Sequence, residues 1–492
     1  MAPSRVRAFL RCLVTVLPLL PLVQIVPRAT AAPRPNIVFI LTDDQRWDTI
    51  DQKHSVDGTT PVMQKVTSLL VNKGVLFQNH FVTTALCAPS RSSILSGKYA
   101  HTTGVHSNGG SDGGVQAFDD SSTVAVWLKA AGYHTGIFGK YLNGYNQIAP
   151  YQAPGWDEWH VFKAPGYFGY HLIENGVDVA YGSADADYSA DVLRDKVVQF
   201  IATSSEPFFV EFTPYNPHAP ATPAPRHVGS FNSVPPWRPP NYAEPDASDK
   251  PAWVQSITWT QQDQQGTDAF RKKQLECLQS VDEAVDAIVQ ALAARGVLGN
   301  TLILYSADNG YSWGSHRWKP KQCEYEECIR DPLIVRYPPL TPRARKEKRI
   351  TLNIDFAQTF AALAGATPDP GVEGMNLVPL LDKSVTTWRT DLLNEHWDAQ
   401  IPDFAQVRGL FTKPGKTPHT WKYVELATDE KELYNEDSDP SELGNVAGAP
   451  GNAGLIAITA ARLRELDPGW PGTAAAAAPA PAGPAPNEGE DD

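Results

Sequence analysis

The stretch Asn36-Ile-Val-Phe-Ile-Leu-Thr-Asp-Asp44 decides the fold, because an apolar run ends abruptly in two carboxylates. A short apolar run of this kind is typical of a buried strand. Three further runs have the same character, at residues 133–138, 207–212 and 301–305. Helical patterns alternate with them, at residues 122–131, 190–203, 270–295 and 354–364. This alternation predicts an α/β domain.

Polar residues follow each predicted strand close to the point where the strand ends. The carboxyl ends of strands in an open α/β sheet converge on one ligand site. We therefore expect these side chains to meet: Asp43, Asp44, Asp308, Asn309, Lys140 and His218. Clustered carboxylates repel one another unless a cation lies among them, and oxygen ligands suit a hard cation such as calcium or magnesium. Each motif taken alone is equally compatible with a helix cap or a turn.

A second segment, Cys87-Ala-Pro-Ser-Arg-Ser-Ser-Ile-Leu-Ser-Gly97, combines a helix start with reactive side chains. Pro89 and Ser90 suit the first turn of a helix. Cys87 would then stand at the positive end of that helix, where an anion is favoured. Arg91 is within reach of the same place and binds sulfate or phosphate oxygens as a fork.

This segment resembles the signature of the sulfatase family, in which the cysteine is oxidised to formylglycine. Gly132-Tyr-His-Thr-Gly-Ile-Phe-Gly-Lys140 is similar to the second signature of that family. The resemblance covers nearly the whole mature chain, and within the family it points to the N-acetylglucosamine-6-sulfatase and arylsulfatase branch. Its other matching motifs are Arg34-Pro-Asn-Ile, Asp308-Asn-Gly-Tyr311, Tyr325-Glu-Glu and Glu432-Leu-Tyr434.

The resemblance implies a fold and a domain organisation. We expect an alkaline-phosphatase-like large domain over residues 32–381, with a central mixed β-sheet between helices. A smaller C-terminal α+β domain with a short antiparallel sheet is expected over residues 382–468. A strand at 421–425 and a turn at 437–440 fit that smaller domain.

The resemblance also assigns roles to single residues. Metal ligands would be Asp43, Asp44, Asp308 and Asn309, together with an oxygen of the modified Cys87, and the usual metal of the family is Ca²⁺, with Mg²⁺ as the alternative. Arg91 would steady the formylglycine hydrate, whereas Lys140, His218 and Lys321 would hold the sulfate and assist the leaving oxygen. Lys321 is preferred to Lys319 because it lies five residues after His316.

One position departs from the family pattern. Many relatives have a histidine two residues after the lysine of the second signature, where this chain has Leu142 followed by Asn143. Acid assistance from that position is therefore absent, and Asn143 would offer a hydrogen bond instead. His316 either lines the pocket or has a structural role.

The N-terminal segment of the chain predicts export. Arg5, Arg7 and Arg11 precede an apolar run at residues 13–26, and Ala29-Thr-Ala31 has the small-x-small pattern of a cleavage site. Residues 1–31 are therefore predicted to be a signal peptide, because two prolines interrupt a run that is too short for a stable membrane anchor. The Ala/Pro-rich acidic tail at residues 469–492 is predicted to be disordered.

Export permits disulfides, which leaves the pairing of the cysteines open. If Cys87 is modified by a formylglycine-generating enzyme, Cys277, Cys323 and Cys328 remain in the mature chain. Cys323 and Cys328 form a bridge, or one of them pairs with Cys277, and one cysteine stays odd.

The predicted function is that of a secreted sulfatase, which hydrolyses sulfate monoesters of small molecules or carbohydrates. Two alternatives stay open: a phosphonate monoester hydrolase or phosphodiesterase of the same superfold, and a non-catalytic glycan-binding protein. The formal net charge of −13 argues against a general nucleic-acid binder. The irregular, proline- and tryptophan-rich stretch 227–262 is either a functional loop or a surface excursion.

Overall fold

A computed structural model describes residues 1–2, 34–397 and 400–470 of the chain. Most of the predicted signal peptide (1–31) and of the predicted tail (469–492) therefore lies outside the described residues. Within the described ranges, no helix is long and apolar enough to cross a membrane.

A mixed sheet forms the centre of the molecule. The strands up to residue 352 are β1 (Asn36–Thr42), β2 (Val75–Phe77), β3 (His80–Phe81), β4 (His134–Gly139), β5 (Glu158–Ala164), β6 (His171–Glu174), β7 (Val177–Ala180), β8 (Phe208–Thr213), β9 (Thr301–Ala307), β10 (Leu333–Arg336), β11 (Arg345–Glu347) and β12 (Thr351–Leu352). Among the described residues, ten of them form one sheet in the order β11-β2-β10-β9-β1-β8-β4-β5-β6-β7, while β3 pairs with β12. The five strands from β9 to β5 in that order are parallel.

Helices occupy both faces of this sheet. The α-helices of the described residues are α1 (Gln64–Leu69), α2 (Cys87–Ser96), α3 (Ala100–Thr103), α4 (Gly114–Ala117), α5 (Val124–Ala130), α6 (Ser189–Thr203), α7 (Ala252–Gln255), α8 (Gln261–Ala294), α9 (Glu326–Ile329), α10 (Asp355–Ala364), α11 (Val378–Leu381) and α12 (Ala453–Leu466). Short 3-10 turns span Val71–Lys73, Tyr145–Gln147, Asp185–Asp187, Pro225–His227, Leu298–Asn300 and Pro450–Asn452.

The residues of β1 show why the sheet lies between two helical layers. Val38 and Ile40 pack into one core cluster with α1, α6 and α8. Ile37, Phe39 and Leu41 point to the opposite face and pack with α2, α5 and α10. Because side chains alternate along a strand, a strand that is apolar at every position is buried on both faces.

The predicted central elements are confirmed, with boundary shifts of one or two residues for the strands. The predicted helix at 270–295 is wrong at its start, because α8 begins at Gln261. The Thr260 hydroxyl accepts a hydrogen bond from the Asp263 backbone, and the Asp263 carboxylate accepts one from the Thr260 backbone. This capping box starts the helix well before its apolar pattern does. The stretch 227–262 is therefore irregular only in part, since it also contains α7.

The C-terminal part carries a second sheet. It is antiparallel, in the order β13 (Asp391–His396), β14 (Phe404–Thr412), β15 (Pro418–Leu426) and β16 (Lys431–Asn435). Helix α12 covers it, with Leu455 and Leu463 in one core cluster with Val407 and Trp421. The strand predicted at 421–425 is thus confirmed, as is a small C-terminal antiparallel sheet. The exact boundaries at 381 and 468 stay predictions.

Strand direction fixes where the functional loops emerge. Strands β1, β4, β8 and β9 are parallel, so the residues that follow them lie at one edge of the sheet. That edge is the place where an open α/β sheet binds its ligand.

Candidate active site

Helix α2 brings Cys87 to the loops at this edge. Cys87 is the first residue of the helix and is fully buried. Its Sγ lies 2.8 Å from Lys321 Nζ and 3.5 Å from Asp43 Oδ1. Burial raises the pKa of the Cys87 thiol well above its ordinary value, although Lys140 and Lys321 oppose the shift. The encoded side chain is therefore a neutral thiol at the positive end of a helix.

Three carboxylates around Cys87 pair with three cations, and Arg91 Nη2 also lies 3.5 Å from Asp43 Oδ2. Lys140 Nζ lies 2.9 Å from Asp43 Oδ2, Arg91 Nε lies 2.8 Å from Asp308 Oδ2, and Lys321 Nζ lies 2.8 Å from Asp44 Oδ1. All six side chains are buried. Three negative and three positive groups cancel, so a divalent cation would leave an excess of about two positive charges for an anionic substrate.

The pKa values of two of these acids shift in opposite directions. Burial would raise the pKa of Asp43, but the neighbouring cations, Lys140 foremost, hold it well below its ordinary value. The pKa of Asp308 is raised to about 6, because burial and the charge of Asp43 outweigh Arg91. Two acids this close favour a cation between them.

His218 faces the same cluster with one defined ring nitrogen. Its Nδ1 lies 2.8 Å from the carbonyl oxygen of Ala219. Because a carbonyl only accepts, Nδ1 carries the proton and donates it there. Nε2 then faces Lys321 Nζ at 3.4 Å and Asp44 Oδ2 at 3.6 Å.

The donor atoms fit a hard divalent cation. One ligand atom each of Asp43, Asp44, Cys87 and His218 lies within 4.8 Å of the others. Asn309 Nδ2 donates to Asp44 Oδ1 at 2.7 Å, whereas Asn309 Oδ1 is buried and accepts no hydrogen bond from a described residue. Carboxylate and amide oxygens are the ligands that calcium and magnesium prefer. Asp44 also holds a left-handed backbone with φ of 61°, the kind of strain that clusters at functional sites.

The loop that carries Lys321 is held by a buried network. His316 Nδ1 lies 2.8 Å from Glu244, and Asn241 donates to His316 Nε2 at 3.0 Å. Burial lowers the pKa of His316 to about 3, and its ring stacks on Tyr325 at 3.7 Å. Both ring nitrogens are therefore hydrogen-bonded to other residues of the protein, which favours the structural role of His316. Glu244 and Asn241 come from the stretch 227–262, so this stretch supports the site.

Cys323 and Cys328 form a disulfide just beyond Lys321, and Cys277 is free and buried in α8. Of the pairings that the sequence left open, the bridge between Cys323 and Cys328 is confirmed. Lys319 points elsewhere and pairs with Asp263 at 2.5 Å. The preference for Lys321 as the lysine at the site agrees with this placement.

Leu142 and Asn143 follow Lys140 at the rim of the cluster. Both are buried, and Leu142 packs into a hydrophobic core. Asn143 lines a small cavity of about 10 Å³ together with Lys140 and Phe162. A hydrogen bond from Asn143 to substrate stays a prediction.

The sequence did not single out three buried residues near the site. Gln274 of α8 donates to the carbonyl oxygens of Asp44 at 3.4 Å and Pro217 at 3.1 Å, and accepts from Trp313 Nε1 at 2.5 Å. It thus joins three loops, and a glutamine in a helical pattern carries no signal for this. Burial raises the pKa of Glu211 to about 7, and it raises the pKa of Asp331 well above its ordinary value.

The mixed sheet between helical layers, with acids and cations at its carboxyl edge, defines an α/β protein of the alkaline-phosphatase-like class. The family model named Sulfatase matches residues 35–366, and the C-terminal model of N-sulphoglucosamine sulphohydrolase matches residues 314–468. The chain belongs to the sulfatase family, whose members are sulfuric ester hydrolases.

Curated relatives cover most of the chain. An arylsulfatase of Volvox carteri is 31% identical over 478 residues, which are 85% of this chain and 72% of that protein. An N-acetylglucosamine-6-sulfatase of Capra hircus is 34% identical over 472 residues, which are 85% of this chain and 81% of that protein.

Solved structures share the fold. One protein, in complex with its substrate D-glucosamine-2-N,6-O-disulfate, has a TM-score of 0.73 at 24% identity and covers 88% of this chain and 97% of its own. The phosphonate monoester hydrolase of Agrobacterium radiobacter has a TM-score of 0.70 at 20% identity and covers 88% and 95%. At these identities the likeness concerns the fold, and the alkaline-phosphatase-like expectation is confirmed.

Replacing Gln274 tests whether α8 positions the site loops. Gln274→Met removes both donors and the acceptor of Trp313, and unpaired buried groups cost about 2 kcal/mol of unfolding free energy. We expect that loss in urea unfolding, together with a lower kcat/KM for sulfate-ester hydrolysis. Gln274→Glu keeps the acceptor but loses the donors to the two carbonyls, so it should lower kcat/KM as well.

Gln279→Met on the same helix is the matched control, because Gln279 donates to Val62 and Leu275 rather than to a site loop. An equal loss of kcat/KM in the Gln279 variant would contradict a positioning role for Gln274.

Proposed function

We propose that the chain is a secreted, metal-dependent sulfatase whose acceptor group is a formylglycine made from Cys87. The observation that carries the proposal is the position of Cys87 between a helix start, Lys321 and Asp43. A thiol is a poor acceptor there, because attack on sulfur would leave a stable thiosulfate-type adduct. Oxidation of the thiol to an aldehyde by a formylglycine-generating enzyme removes that difficulty.

The hydrated aldehyde supplies one hydroxyl that accepts the sulfuryl group and a second whose deprotonation expels sulfate and restores the aldehyde. Lys140 pairs with Asp43 and Lys321 pairs with Asp44, and both lysines bind the non-bridging sulfate oxygens. Arg91, which Asp308 holds in place, steadies the formylglycine hydrate. These fixed charges stabilise the charge that develops in the transfer.

His218 protonates the departing alcohol. Its Nδ1 is committed to Ala219, so Nε2 is the atom that exchanges a proton at the site, and Lys321 lies 3.4 Å away. Lys321 either lowers the barrier as a neighbouring cation or returns the proton to His218 between turnovers.

A bound Ca²⁺, or Mg²⁺ as the alternative, would supply positive charge that activates the hydrate and polarises the sulfate. Asp43, Asp44, Asp308 and Asn309 would hold it, with an oxygen of residue 87. The orphan Oδ1 of Asn309 supports this ligand set.

The substrate is proposed to be a sulfated small molecule or carbohydrate. The sulfatase relatives at 31% and 34% identity support this class. The predicted signal peptide supports secretion. A phosphonate monoester hydrolase is the alternative, because aryl phosphonates are also monoanions that suit the same cations.

Mass spectrometry of the peptide that spans Cys87 tests the proposal. The purified active protein should carry the aldehyde or its hydrate at residue 87, and Cys87→Ala should abolish turnover while the fold is kept. An unmodified thiol at residue 87 in fully active protein would refute the formylglycine mechanism. Faster turnover of aryl phosphonate than of aryl sulfate would favour the alternative.

Replacing His218 separates proton transfer from charge stabilisation. His218→Ala should slow hydrolysis of a carbohydrate sulfate by roughly 10² or more, the usual worth of a general acid. It should slow p-nitrophenyl sulfate far less, because p-nitrophenolate leaves without a proton. Lys321→Ala should slow both substrates, since it removes a cation in either case. Equal losses on the two substrates for His218→Ala would refute its role as the acid.

Removing the metal should lower both activity and stability. A cation that binds only the folded state adds about 2.7 kcal/mol of stability at 100 times its Kd. Chelation should therefore lower Tm and abolish turnover, and added Ca²⁺ should restore both. In Asn309→Ala, more Ca²⁺ should be needed for the same rise in Tm. If added Ca²⁺ does not change the Tm of the unaltered protein, the proposed metal site is wrong.

A further inference from the structure

A basic run stands out in this acidic chain. Residues 343–349 read Arg-Ala-Arg-Lys-Glu-Lys-Arg, with five cations and one carboxylate, whereas the whole chain has a net charge of −13. Strand β11 lies inside the run at one margin of the central sheet. Short runs rich in lysine and arginine bind polyanions through their field. The site around Cys87 does not use this run.

The one carboxylate of the run is already satisfied. Glu347 pairs with Arg345 at 3.1 Å and with Arg349 at 3.0 Å, and it accepts from the backbone of Lys348. Lys348 and Arg349 remain exposed, and Lys348 forms no ion pair with a described residue. The run therefore presents a net positive surface rather than a set of closed pairs.

This surface borders a groove of about 560 Å³. Lys348 and Arg349 line it together with residues of the C-terminal part, among them half-buried Trp388 and Leu410, which is 55% exposed. Trp388 Nε1 donates to Ile350 O at 2.6 Å, which holds the ring next to the end of the basic run. Asn79, Thr390 and Thr420 add polar groups to the lining.

The two arginines deeper in the groove are committed to acids of the protein. Arg389 binds Asp355 with two contacts, at 2.5 and 2.6 Å, and Arg408 lies 2.7 Å from Glu326. The charge offered to a ligand therefore comes from exposed Lys348 and from exposed Arg349, which shares the single carboxylate of Glu347 with Arg345. Cations, an aromatic ring and amide or hydroxyl groups together suit a sulfated sugar chain.

Two residues that line the groove lie at the same edge of the sheet as the site around Cys87. Strand β11 is parallel to β2, and β10 is antiparallel to both β2 and β9, so β11 and β2 run in the direction of β1. Asn79 and Lys348, which follow β2 and β11, thus emerge where Asp43 and Asp44 emerge. Three or four strand spacings separate them from β1, which is roughly 15 to 20 Å.

We propose that this groove is a second binding site for a sulfated polysaccharide, distant from the reacting ester. It rests on the proposed function in one respect: it makes the substrate a chain of several sugars, with one sulfate at residue 87 and others at the groove. A small ester would reach the site around Cys87 without touching Lys348 or Arg349.

Heparin binding to the Cys87→Ala protein tests the groove without turnover. Lys348→Gln/Arg349→Gln should weaken binding roughly fivefold at low salt, as expected for two partly screened charge contacts. The matched control is Arg34→Gln/Lys129→Gln, which removes the same charge beside the starts of β1 and β4, at the opposite edge of the sheet. It should change the Kd by less than roughly twofold. Thermal unfolding checks that both variants fold.

Equal weakening in the two double variants, or none in either, would overturn the proposal. Duplex DNA that competes as well as heparin at equal charge would also overturn it, because the groove would then bind any polyanion.

In the protein with Cys87 intact, turnover of p-nitrophenyl sulfate should be unchanged by Lys348→Gln/Arg349→Gln. Heparin binding at the groove with no sulfate release from any ester would refute the proposed function and keep the groove. If the protein releases sulfate but Lys348→Gln/Arg349→Gln leaves heparin binding unchanged, the groove proposal is refuted and the proposed function is kept.

Discussion

The pairing of three buried carboxylates with three buried cations around Cys87 is the constraint on which the structure depends. Each partner alone would be an uncompensated buried charge, which costs several kcal/mol. Lys140 therefore needs Asp43, Arg91 needs Asp308, and every loop that carries one of them must meet the others. The parallel core strands satisfy this demand, since they deliver their carboxyl ends to one edge.

Charge pairing also explains why the site is held from several directions. Asp44 keeps a left-handed backbone, and its carbonyl and that of Pro217 both accept from Gln274 in the middle of α8. The helix that fills one side of the core thus also aligns two loops of the site around Cys87. Rigid packing of this kind keeps donors in place before a substrate arrives, which is the source of electrostatic catalysis.

The sequence predicted the elements whose signal is local. Strands β1, β8 and β9 are buried on both faces, so their sequences are mostly apolar, and the polar residues at their ends and after β4 were recognisable. The margins of the sheet were not predicted, because β7 is mostly exposed and β11 is charged, and both exist through pairing with a neighbour. The start of α8 follows a capping box rather than a periodicity. Gln274 has no sequence signal, since its role arises only when three loops meet.

The position of Lys321 depends on the C-terminal sheet as well as on its own loop. Lys422 of β15 donates to the carbonyl oxygen of Glu324 at 3.0 Å, and Gln406 of β14 donates to the same atom at 3.1 Å. The disulfide between Cys323 and Cys328 closes the turn that holds Glu324. Because Lys321 lies three residues before this anchor, a shift of the small sheet would move the ammonium group away from Asp44 and Cys87. The smaller sheet thus helps to position Lys321 at the site around Cys87, through its hydrogen bonds to the Glu324 carbonyl oxygen.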